Sequence, residues 1–388
     1  MSRLPAHFTL LQVTPELETG GAEQTTLDVA RAVIAAGGKA LVATRGGRMA
    51  ARLEADGGRL IQMPAQSKNP VVMLANAARM IGVIRREGVS LVHARSRAPA
   101  FSALWAAQAA GVPFIATYHG VYNARSGLKR WYNAVMTRGD LVIANSDFTR
   151  DHVLAEHGLD PERVVAIPRG VDLARFDPAG VSRARVTALR KAWGVAPSDK
   201  RLKVLLAGRL TRWKGQGLVI DALARLKKTH GDKILLLLAG DDQGRKAYRG
   251  ELEKKIADHG LEGSVKLVGH CDDMPAAYLL ADLAIAPSLD PEAFGRTAVE
   301  PQVMGRPVIA ADHGAARETV IDGETGWLAA PGNAEAWARA LAHAVDVGVA
   351  GRQTIAAAAA IRSRQLYSVE AMCDATLDIY ARVLEERR

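Results

Sequence analysis

The chain has 388 residues, of which 48% are hydrophobic and 24% charged, and its formal net charge at pH 7 is +10. This length predicts two folded domains, and the composition is that of a globular protein rather than a disordered or fibrous one. No apolar run approaches the roughly 18 residues that a membrane span needs, and no nucleic-acid-binding module accompanies the positive charge, which disfavours a nucleic-acid partner.

Short apolar runs alternate with segments of helical periodicity, which predicts an α/β fold with parallel sheets covered by helices on both faces. The predicted strands are FTLLQV, ALVAT, RLIQM, SLVHA, PFIATYHG, LVIANS and RVVAIP, followed by KVLLAGRL, ILLLLAG, SVKLVGH, LAIAPS and PVIAA. The alternation stops over residues 173–200, which are polar and rich in turn residues. We therefore predict a first domain over residues 1–172, a linker over residues 173–200 and a second domain over residues 201–366.

A pair of glycines follows the first predicted strand. Gly20 and Gly21 come before a helix that has Glu23 in its opening turn. Glycine lets a substrate approach the backbone closely, and the amide groups at a helix start favour phosphate or hydroxyl groups. The pair predicts either a phosphate or acceptor loop or a plain tight turn, and it is not the G-x-G-x-x-G dinucleotide fingerprint.

The first half of the chain carries most of the positive charge. Residues 1–170 contain 20 Lys and Arg against 13 Asp and Glu, and the only acidic residue between Arg79 and Arg138 is Glu87. Such a surface favours anionic lipid headgroups or a phosphorylated acceptor as partner. A solvated helix face produces the same pattern, so both interpretations stay open.

Several predicted strands end in glycine or in a polar residue. Gly208, Gly240 and Gly269 each close an apolar run, and His119 follows the run PFIATY. In a doubly wound fold, ligands bind outside the carboxyl ends of the strands. His119 is therefore a candidate site residue, although a lone His more often has a structural role.

The two cysteines, Cys271 and Cys373, lie outside any paired metal or redox spacing. They are most simply buried thiols in a reducing compartment. The first apolar run, from Phe8 to Val13, is too short for a secretory signal. These observations predict a cytoplasmic protein, with a peripheral contact to the inner face of the cytoplasmic membrane through its basic half.

Two cations follow the predicted strand KVLLA. In GRLTRWKG, Arg209 comes directly after Gly208, and Lys214 lies five residues further on. A guanidinium and an ammonium at a strand end can bind a diphosphate and neutralise the charge that develops as it leaves. On a surface turn the same residues are mostly solvated, so their interpretation depends on whether other ligand-binding residues occur later in the chain.

The segment EAFGRTAVE places Glu292 and Glu300 around the start of a predicted helix. Backbone amides of Gly295, Arg296 and Thr297 would face an anionic ligand there. The two carboxylates can accept hydrogen bonds from hydroxyls of a sugar and of a ribose. Together with the upstream cations this predicts a nucleotide-sugar site, whereas the Glu pair alone is more simply explained by helix capping or by the helix dipole.

The segment PSLDPEAFGRTAVEPQVMGRPVIA resembles the donor-site segment of retaining glycosyltransferases of family 4, which have the GT-B fold. GRLTRWKG, IANSDFTRD, IPRGVDLARF and GHCDDMPAAYLLADLAIAPS resemble further segments of this family, so the resemblance covers nearly the whole chain. It implies two Rossmann-like, doubly wound parallel-sheet domains that face an interdomain cleft. It also implies a C-terminal helix over residues 367–388 that packs back on the first domain.

The resemblance implies roles for individual residues. Arg209 and Lys214 would bind the donor diphosphate, Glu292 and His119 the donor sugar, and Glu300 the ribose. The other implied contacts are Phe294, Gly295, Arg296, Thr297, Gly208, Gly269 and His270 on the donor side, and Gly20 and Gly21 on the acceptor side. The chain departs from the family at Arg169, where Asn is frequent, and at Pro301, which can shift the first helical turn.

The predicted function is a retaining, hexosyltransferase-type transfer of a sugar from a nucleotide sugar to a glycan or lipid-linked acceptor, such as lipopolysaccharide core or another cell-envelope glycan. Either UDP or GDP can carry the donor sugar. The chain has no Asp-x-Asp, so neither a metal nor another cofactor is expected. Because a fold does not fix a reaction, a sugar-nucleotide epimerase, a phosphorylase and a non-catalytic membrane-associated sugar-nucleotide binder remain alternatives.

Overall fold

The computed structural model describes residues 4–18, 20–122, 126–244 and 246–387. Arg125, in the basic stretch between Arg79 and Arg138, and Arg388, at the end of the predicted C-terminal helix, therefore lie outside the described residues. The chain divides into two compact units. The first consists of Met1–Gly170 and Val369–Arg388, and the second of Val171–Ser368. Each unit contains a parallel sheet with helices, which confirms the predicted α/β, doubly wound fold class.

Strands and helices alternate in both units. The strands are β1 (Thr9–Val13), β2 (Lys39–Thr44), β3 (Arg59–Gln62), β4 (Leu91–Ala94), β5 (Phe114–Tyr118), β6 (Leu141–Ala144), β7 (Val164–Ala166), β8 (Leu202–Ala207), β9 (Ile234–Ala239), β10 (Val265–Gly269), β11 (Leu283–Ala286), β12 (Val308–Ala311) and β13 (Trp327–Ala329). The helices are α1 (Gly21–Ala35), α2 (Ala50–Ala55), α3 (Pro70–Glu87), α4 (Arg97–Ala110), α5 (Gly127–Asn133), α6 (Asp147–His157), α7 (Arg183–Ala192), α8 (Gln216–His230), α9 (Lys246–Asp258), α10 (Met274–Leu280), α11 (Arg296–Val303), α12 (Ala316–Thr319), α13 (Ala334–Asp346), α14 (Gly348–Leu366) and α15 (Val369–Glu385). Every predicted strand is present, and the structure adds β13, which is too short to stand out as an apolar run. Among the described residues, no helix combines the length and the apolar character that crossing a bilayer requires.

In the described residues the sheet of the first unit has the order β3-β2-β1-β4-β5-β6-β7, and its strands are parallel. Side chains of β1 alternate between two apolar clusters, with Leu11 and Val13 on one face and Leu10 on the other. Because both faces are covered, β1 is entirely buried and its sequence is mostly apolar. The strand order reverses between β1 and β4, the position where doubly wound folds bind ligands.

The C-terminal helix α15 belongs to the first unit. The hydroxyl of Tyr380 lies 2.7 Å from Nδ1 of His93 in β4, and its ring stacks on Phe8 at a centroid distance of 5.9 Å. Burial raises the pKa of the Cys373 thiol on the same helix to about 12, whereas Cys271 of the second unit is only partly buried. Helix α15 therefore completes the hydrophobic core of the first unit.

In the described residues the sheet of the second unit has the order β10-β9-β8-β11-β12-β13, again with parallel strands. Residues of β8 alternate between two clusters, with Val204 and Leu206 on one face and Leu205 on the other. The order reverses between β8 and β11. The loops after these two strands are therefore the expected ligand-binding loops of this unit.

The segment over residues 173–200, which the sequence predicts to be a linker, is part of the second unit. It contains α7, and Trp193 and Val195 beyond that helix are 7% and 3% exposed in an apolar cluster of the unit. Arg185 of α7 donates to both carboxylate oxygens of Asp273, at 2.9 and 2.6 Å. The few apolar residues of this segment are scattered among polar ones, so their burial depends on tertiary contacts that a local pattern does not reveal.

Candidate functional site

The predicted cation loop and the predicted carboxylate loop touch each other in the second unit. GRLTRWKG follows β8 and the loop with Glu292 follows β11, so both lie beside the reversal of strand order. Gly215 has a φ of +78°, and a Cβ atom there would lie 2.1 Å from the carbonyl oxygen of Pro287. The amide of Leu289 donates to the carbonyl of Trp213 at 2.6 Å. Glycine at position 215 is therefore what allows the two loops to meet.

This contact joins one predicted cation to one predicted carboxylate. Nζ of Lys214 forms an ion pair with Oε1 of Glu292, and Oγ of Ser288 donates to the same oxygen at 2.7 Å. The Lys214 and Glu292 side chains are only 13% and 19% exposed. Oε2 of Glu292 takes no hydrogen bond from the residues that the structure describes. Lys214 and Ser288 thus orient the carboxylate and leave one oxygen to accept from a ligand hydroxyl.

The loop after β12 supports Glu292 from the other side. Nε2 of His313 donates to the carbonyl of Ser288 at 2.9 Å, and the amide of Ala315 donates to the carbonyl of Glu292 at 3.0 Å. Gly314 has a φ of +59°, and a Cβ atom there would lie 2.7 Å from the Glu292 carbonyl oxygen. The main chain at Glu292 is consequently fixed by contacts with a third loop.

The second predicted carboxylate, Glu300, is 7% exposed and lies on α11. Nη2 of Arg296, one turn earlier, is 2.9 Å from Oε1, and the hydroxyl of Tyr278 on α10 donates to Oε2 at 3.1 Å. Burial, and next the Glu300 charge, hold the pKa of Tyr278 well above its ordinary value. Tyr278 therefore stays protonated as a donor, and both oxygens of Glu300 have a defined orientation.

Helix α11 begins where the sequence predicts. Its N-cap residue is Gly295, with a φ of +78° and no side-chain cap, and its carbonyl accepts from the amide of Ala298 at 2.8 Å. The positive end of the helix dipole therefore lies near Thr297, as an anionic ligand requires. Helix α11 continues through Pro301, which has no N–H to donate to the carbonyl of Thr297.

Phe294 differs from its predicted role. The sequence predicts a donor contact, but the side chain is 3% exposed and belongs to an apolar cluster of the second unit. Its ring meets Tyr367 edge to face, with centroids 5.6 Å apart. A ring buried in this way cannot line a binding surface, so Phe294 anchors the loop that carries Glu292 instead.

Gly208 and Arg209 follow β8 directly. A Cβ atom at Gly240, which follows β9, would lie 1.8 Å from the Gly208 carbonyl oxygen, so the two strand ends meet through backbone alone. The carbonyl of Arg209 accepts from Nε2 of Gln216 at 2.9 Å, and the Arg209 side chain is exposed. Among the described residues its guanidinium contacts neither predicted carboxylate. Diphosphate binding by Arg209 stays a prediction.

Gly269 and His270 lie at the carboxyl end of β10, the edge strand of the second sheet. Gly269 has a φ of +76° and accepts from the amide of Gly240 at 2.8 Å. The His270 side chain is 64% exposed, and its Nε2 is 2.9 Å from Oδ1 of Asp272. Both residues stay predicted donor contacts. Strand β9 separates them from the loop after β8.

In the first unit, His119 follows β5 and pairs with Arg169. Nδ1 of His119 lies 3.1 Å from Nη2 of Arg169, and since a guanidinium can only donate, Nδ1 accepts and the proton of the neutral ring is on Nε2. Burial, and next the charge of Arg169, hold the pKa of His119 well below its ordinary value. Nε2 has no hydrogen-bond partner among the described residues. His119 is thus a neutral donor whose orientation is set by the residue that replaces the frequent Asn.

Gly20 and Gly21 lie at the start of α1, with Gly20 in an extended conformation as N-cap. A Cβ atom at Gly20 would lie 2.1 Å from Oε2 of Glu23, so this carboxylate folds back over the helix start. A carboxylate near the N-terminus satisfies free amides and the helix dipole. A phosphate at this glycine pair would have to compete with Glu23, so the predicted phosphate loop stays a prediction.

Comparison with known proteins assigns the chain to a family. Residues 190–359 match the family model Glycosyl transferases group 1, and residues 19–175 match the model Glycosyltransferase Family 4. A solved glycosyltransferase from Rickettsia africae ESF-5 is 33% identical, with a TM-score of 0.90, over 98% of this chain and 99% of that one. The chain belongs to glycosyltransferase family 4.

Two further relatives carry information about ligands. Anabaena Alr3699/HepE, solved in complex with UDP-glucose, is 27% identical to this glycosyltransferase, with a TM-score of 0.79, over 98% of this chain and 100% of that one. A D-inositol 3-phosphate glycosyltransferase of Salinispora tropica is 31% identical over 260 residues, which are 66% of this chain and 53% of that protein. The chain therefore spans about half the length of the curated relatives it matches. Its fold is the GT-B fold of these glycosyltransferases.

Three residues of the site in this glycosyltransferase were not found from sequence. Ser288 and His313 are polar residues two positions beyond the ends of the buried strands β11 and β12, in the loops where ligands bind in this fold. Tyr278 lies in an apolar helix, where a hydroxyl needs a partner. These signals indicate that each of the three side chains makes a specific polar contact, but they do not reveal which residue it contacts.

Proposed function

We propose that this family 4 glycosyltransferase is a retaining, metal-independent hexosyltransferase that transfers a sugar from a nucleotide sugar to a glycan or lipid-linked acceptor. The observation that carries the proposal is the cluster of Lys214, Ser288 and Glu292 beside the reversal of strand order, with Glu300 on α11. A carboxylate with one available oxygen suits a sugar hydroxyl, and a second, oriented carboxylate suits the hydroxyl pair of a ribose. UDP-glucose in the Anabaena relative supports a UDP-type donor.

In the proposed reaction the bond between the sugar C1 and the diphosphate oxygen breaks, and the acceptor oxygen bonds to C1 on the same face. The diphosphate leaves with the electron pair, and one of its oxygens takes the proton of the acceptor hydroxyl. Arg209 and Lys214 stabilise the charge on the leaving group. Nε2 of His119, which carries a proton, donates to a substrate hydroxyl.

The proposed acceptor is a cell-envelope glycan or its lipid-linked precursor, such as lipopolysaccharide core, used at the inner face of the cytoplasmic membrane by a cytoplasmic protein. The basic first unit supports this choice, because polybasic surfaces favour anionic lipid. A phosphorylated polyol is a second candidate acceptor. It is favoured by the Salinispora relative, which is named for D-inositol 3-phosphate.

A panel of nucleotide sugars tests the donor site by thermal denaturation of the full chain. The preferred donor should raise the melting temperature, since a ligand at about 100 times its Kd stabilises the folded state by about 2.7 kcal/mol. Transfer is then assayed with that donor, with and without EDTA, on a lipid-linked glycan and on inositol phosphate. No shift with any nucleotide sugar contradicts the donor site, and a shift without transfer or hydrolysis supports the non-catalytic binder instead.

A further inference from the structure

The first unit has an exposed surface that combines large apolar side chains with basic ones. Leu128 and Trp131 on α5 are 76% and 53% exposed, Leu74 on α3 is 60% exposed, and Trp105 on α4 is 37% exposed. Lys129, on the same helix as Leu128, is also exposed. We call these five residues, together with Arg138, the aromatic–basic face. Burial of the apolar members in a partner would remove them from water, which favours docking.

Packing around Phe101 joins α4 and α5 at this face. The ring of Phe101 on α4 lies 6.0 Å from the ring of Trp105 and 5.5 Å from the ring of Trp131, measured between centroids. The hydroxyl of Ser102, the next residue, donates to the carbonyl of Met73 at 2.9 Å, so the start of α3 contacts α4. Leu74 therefore follows a residue in direct contact with α4, and the two tryptophans share one aromatic anchor.

Charge indicates what this face binds. Residues 68–138, which contain all of α3, α4 and α5, include a single acidic residue, Glu87, at the far end of α3. The guanidinium of Arg138 lies over the ring of Trp131, 5.2 Å from its centroid, so a cation is held at the edge of the aromatic surface. A second copy of this chain would bring like charges together. An anionic lipid surface offers opposite charge and an apolar interior.

We propose that the aromatic–basic face docks on an anionic phospholipid membrane. The biological purpose of this docking rests on the proposed lipid-linked acceptor, but its test does not. Trp131 and Trp105 would lie at headgroup level, where Trp is enriched. Leu128 would insert among the acyl chains, and Lys129 and Arg138 would contact the phosphates. Each basic residue near such a surface changes partitioning about fivefold.

The test is cosedimentation of the full chain with vesicles of phosphatidylcholine alone or with about 30 mol% phosphatidylglycerol, at low and high salt. The wild-type protein should bind the anionic vesicles, bind the neutral ones weakly, and dissociate as salt is raised. Leu128→Asn and Lys129→Ala should each lower partitioning about fivefold. Both side chains are exposed on α5, so neither change should disturb folding.

Matched controls lie in the second unit. Ile361 on α14 is 72% exposed and Lys228 on α8 is exposed, so Ile361→Asn and Lys228→Ala make the same chemical changes elsewhere and should bind as the wild type does. Equal binding by Leu128→Asn and Ile361→Asn, or equal binding to both vesicle types, overturns the proposal. So does self-association in sedimentation velocity that Leu128→Asn abolishes, because the face would then pair two copies.

The donor-dependent thermal shift, measured on the same variants, separates this proposal from the proposed function. If Leu128→Asn and Lys129→Ala lower vesicle binding but keep the donor-dependent thermal shift, the aromatic–basic face is supported and the donor site is unaffected. Vesicle binding without any donor shift leaves the face supported and contradicts the donor site.

Discussion

Glu292 and Glu300 are held by different kinds of neighbours, and this difference suits different tasks. Glu292 contacts a lysine and a serine through one oxygen and keeps the other available. Glu300 has a donor on each oxygen, from Arg296 and Tyr278, and is more deeply buried. A carboxylate with fixed orientation suits the proposed contact with the ribose hydroxyls, whereas one available oxygen beside a cation suits the proposed contact with the donor sugar.

Tyr278→Phe should weaken donor binding. The change removes the hydrogen bond to Oε2 of Glu300, which costs about 1.5–3 kcal/mol of folding stability. It also leaves that oxygen free to turn away from the ligand, so we expect the donor Kd to rise several-fold. The effect on kcat should be smaller, because the proposed ribose contact is remote from the breaking bond. Donor titration by calorimetry measures this. Tyr132→Phe in the first unit is the control, and an unchanged Kd for Tyr278→Phe would contradict the proposed role of Glu300.

Arg209→Ala should lower kcat at saturating donor about 100-fold, the usual cost of removing one group that stabilises developing charge. Arg212→Ala is a matched control, since Arg212 is an exposed arginine of the same loop and pairs with Glu251. Steady-state transfer kinetics give the result. Full turnover of Arg209→Ala at saturating donor would show that Arg209 does not act on the leaving group.

At the scale of elements, three loops at one edge of the second sheet build the site. The loops follow β8, β11 and β12, and they meet through main-chain contacts at Gly215 and Gly314. Both glycines have positive φ and face a carbonyl that a Cβ atom would strike. The close fit of these loops, rather than any long side chain, therefore determines where Lys214 and Glu292 meet.

Gly314→Ala should damage the site beyond its effect on stability. An alanine there keeps an unfavourable φ and also pushes against the Glu292 carbonyl. Gly158→Ala is the matched control, because Gly158 is in the left-handed helical region, with a φ of +60°, and has no atom within 4 Å of its Cβ position. Both variants should lose about 1–2 kcal/mol of unfolding free energy from backbone strain, but only Gly314→Ala should also lose donor affinity. Equal donor affinity for the two variants would show that the loop after β12 does not position Glu292.

At the scale of the whole molecule, neutral histidines are buried in the first unit. Nδ1 and Nε2 of His93 lie 2.7 Å from the hydroxyls of Tyr380 and Thr117, which join α15 to the sheet. Burial, and next the charge of Arg95, hold the pKa of His93 well below its ordinary value, and burial does the same for His119. Protonation of either ring would place a charge inside the fold.

Stability should therefore fall in acid. Below a pH of about 6.5 the histidines of the unfolded chain take up protons, while His93 and His119 in the folded chain stay neutral until their lower pKa values are reached. The unfolded state then holds more protons, so the unfolding free energy rises with pH through this window and is lost as pH falls. Melting temperatures measured from about pH 7.5 to about pH 5.5 should fall accordingly. His119→Asn should show a shallower fall, and an identical slope would contradict a neutral buried His119.

The sequence by itself determined the alternation of strands and helices, the glycine and charged loops after β8 and β11, and the start of α11. These features are local, because a buried parallel strand reads as an apolar run and a helix start follows from its first turn. Tertiary structure alone decided that Phe294 is buried, that residues 173–200 pack into the second unit, and that Arg169 orients His119. It also decided the pairing of Tyr278 with Glu300 and of His313 with Ser288. Each of these contacts joins residues from different elements, and periodicity reports whether a side chain is buried but not which partner it meets.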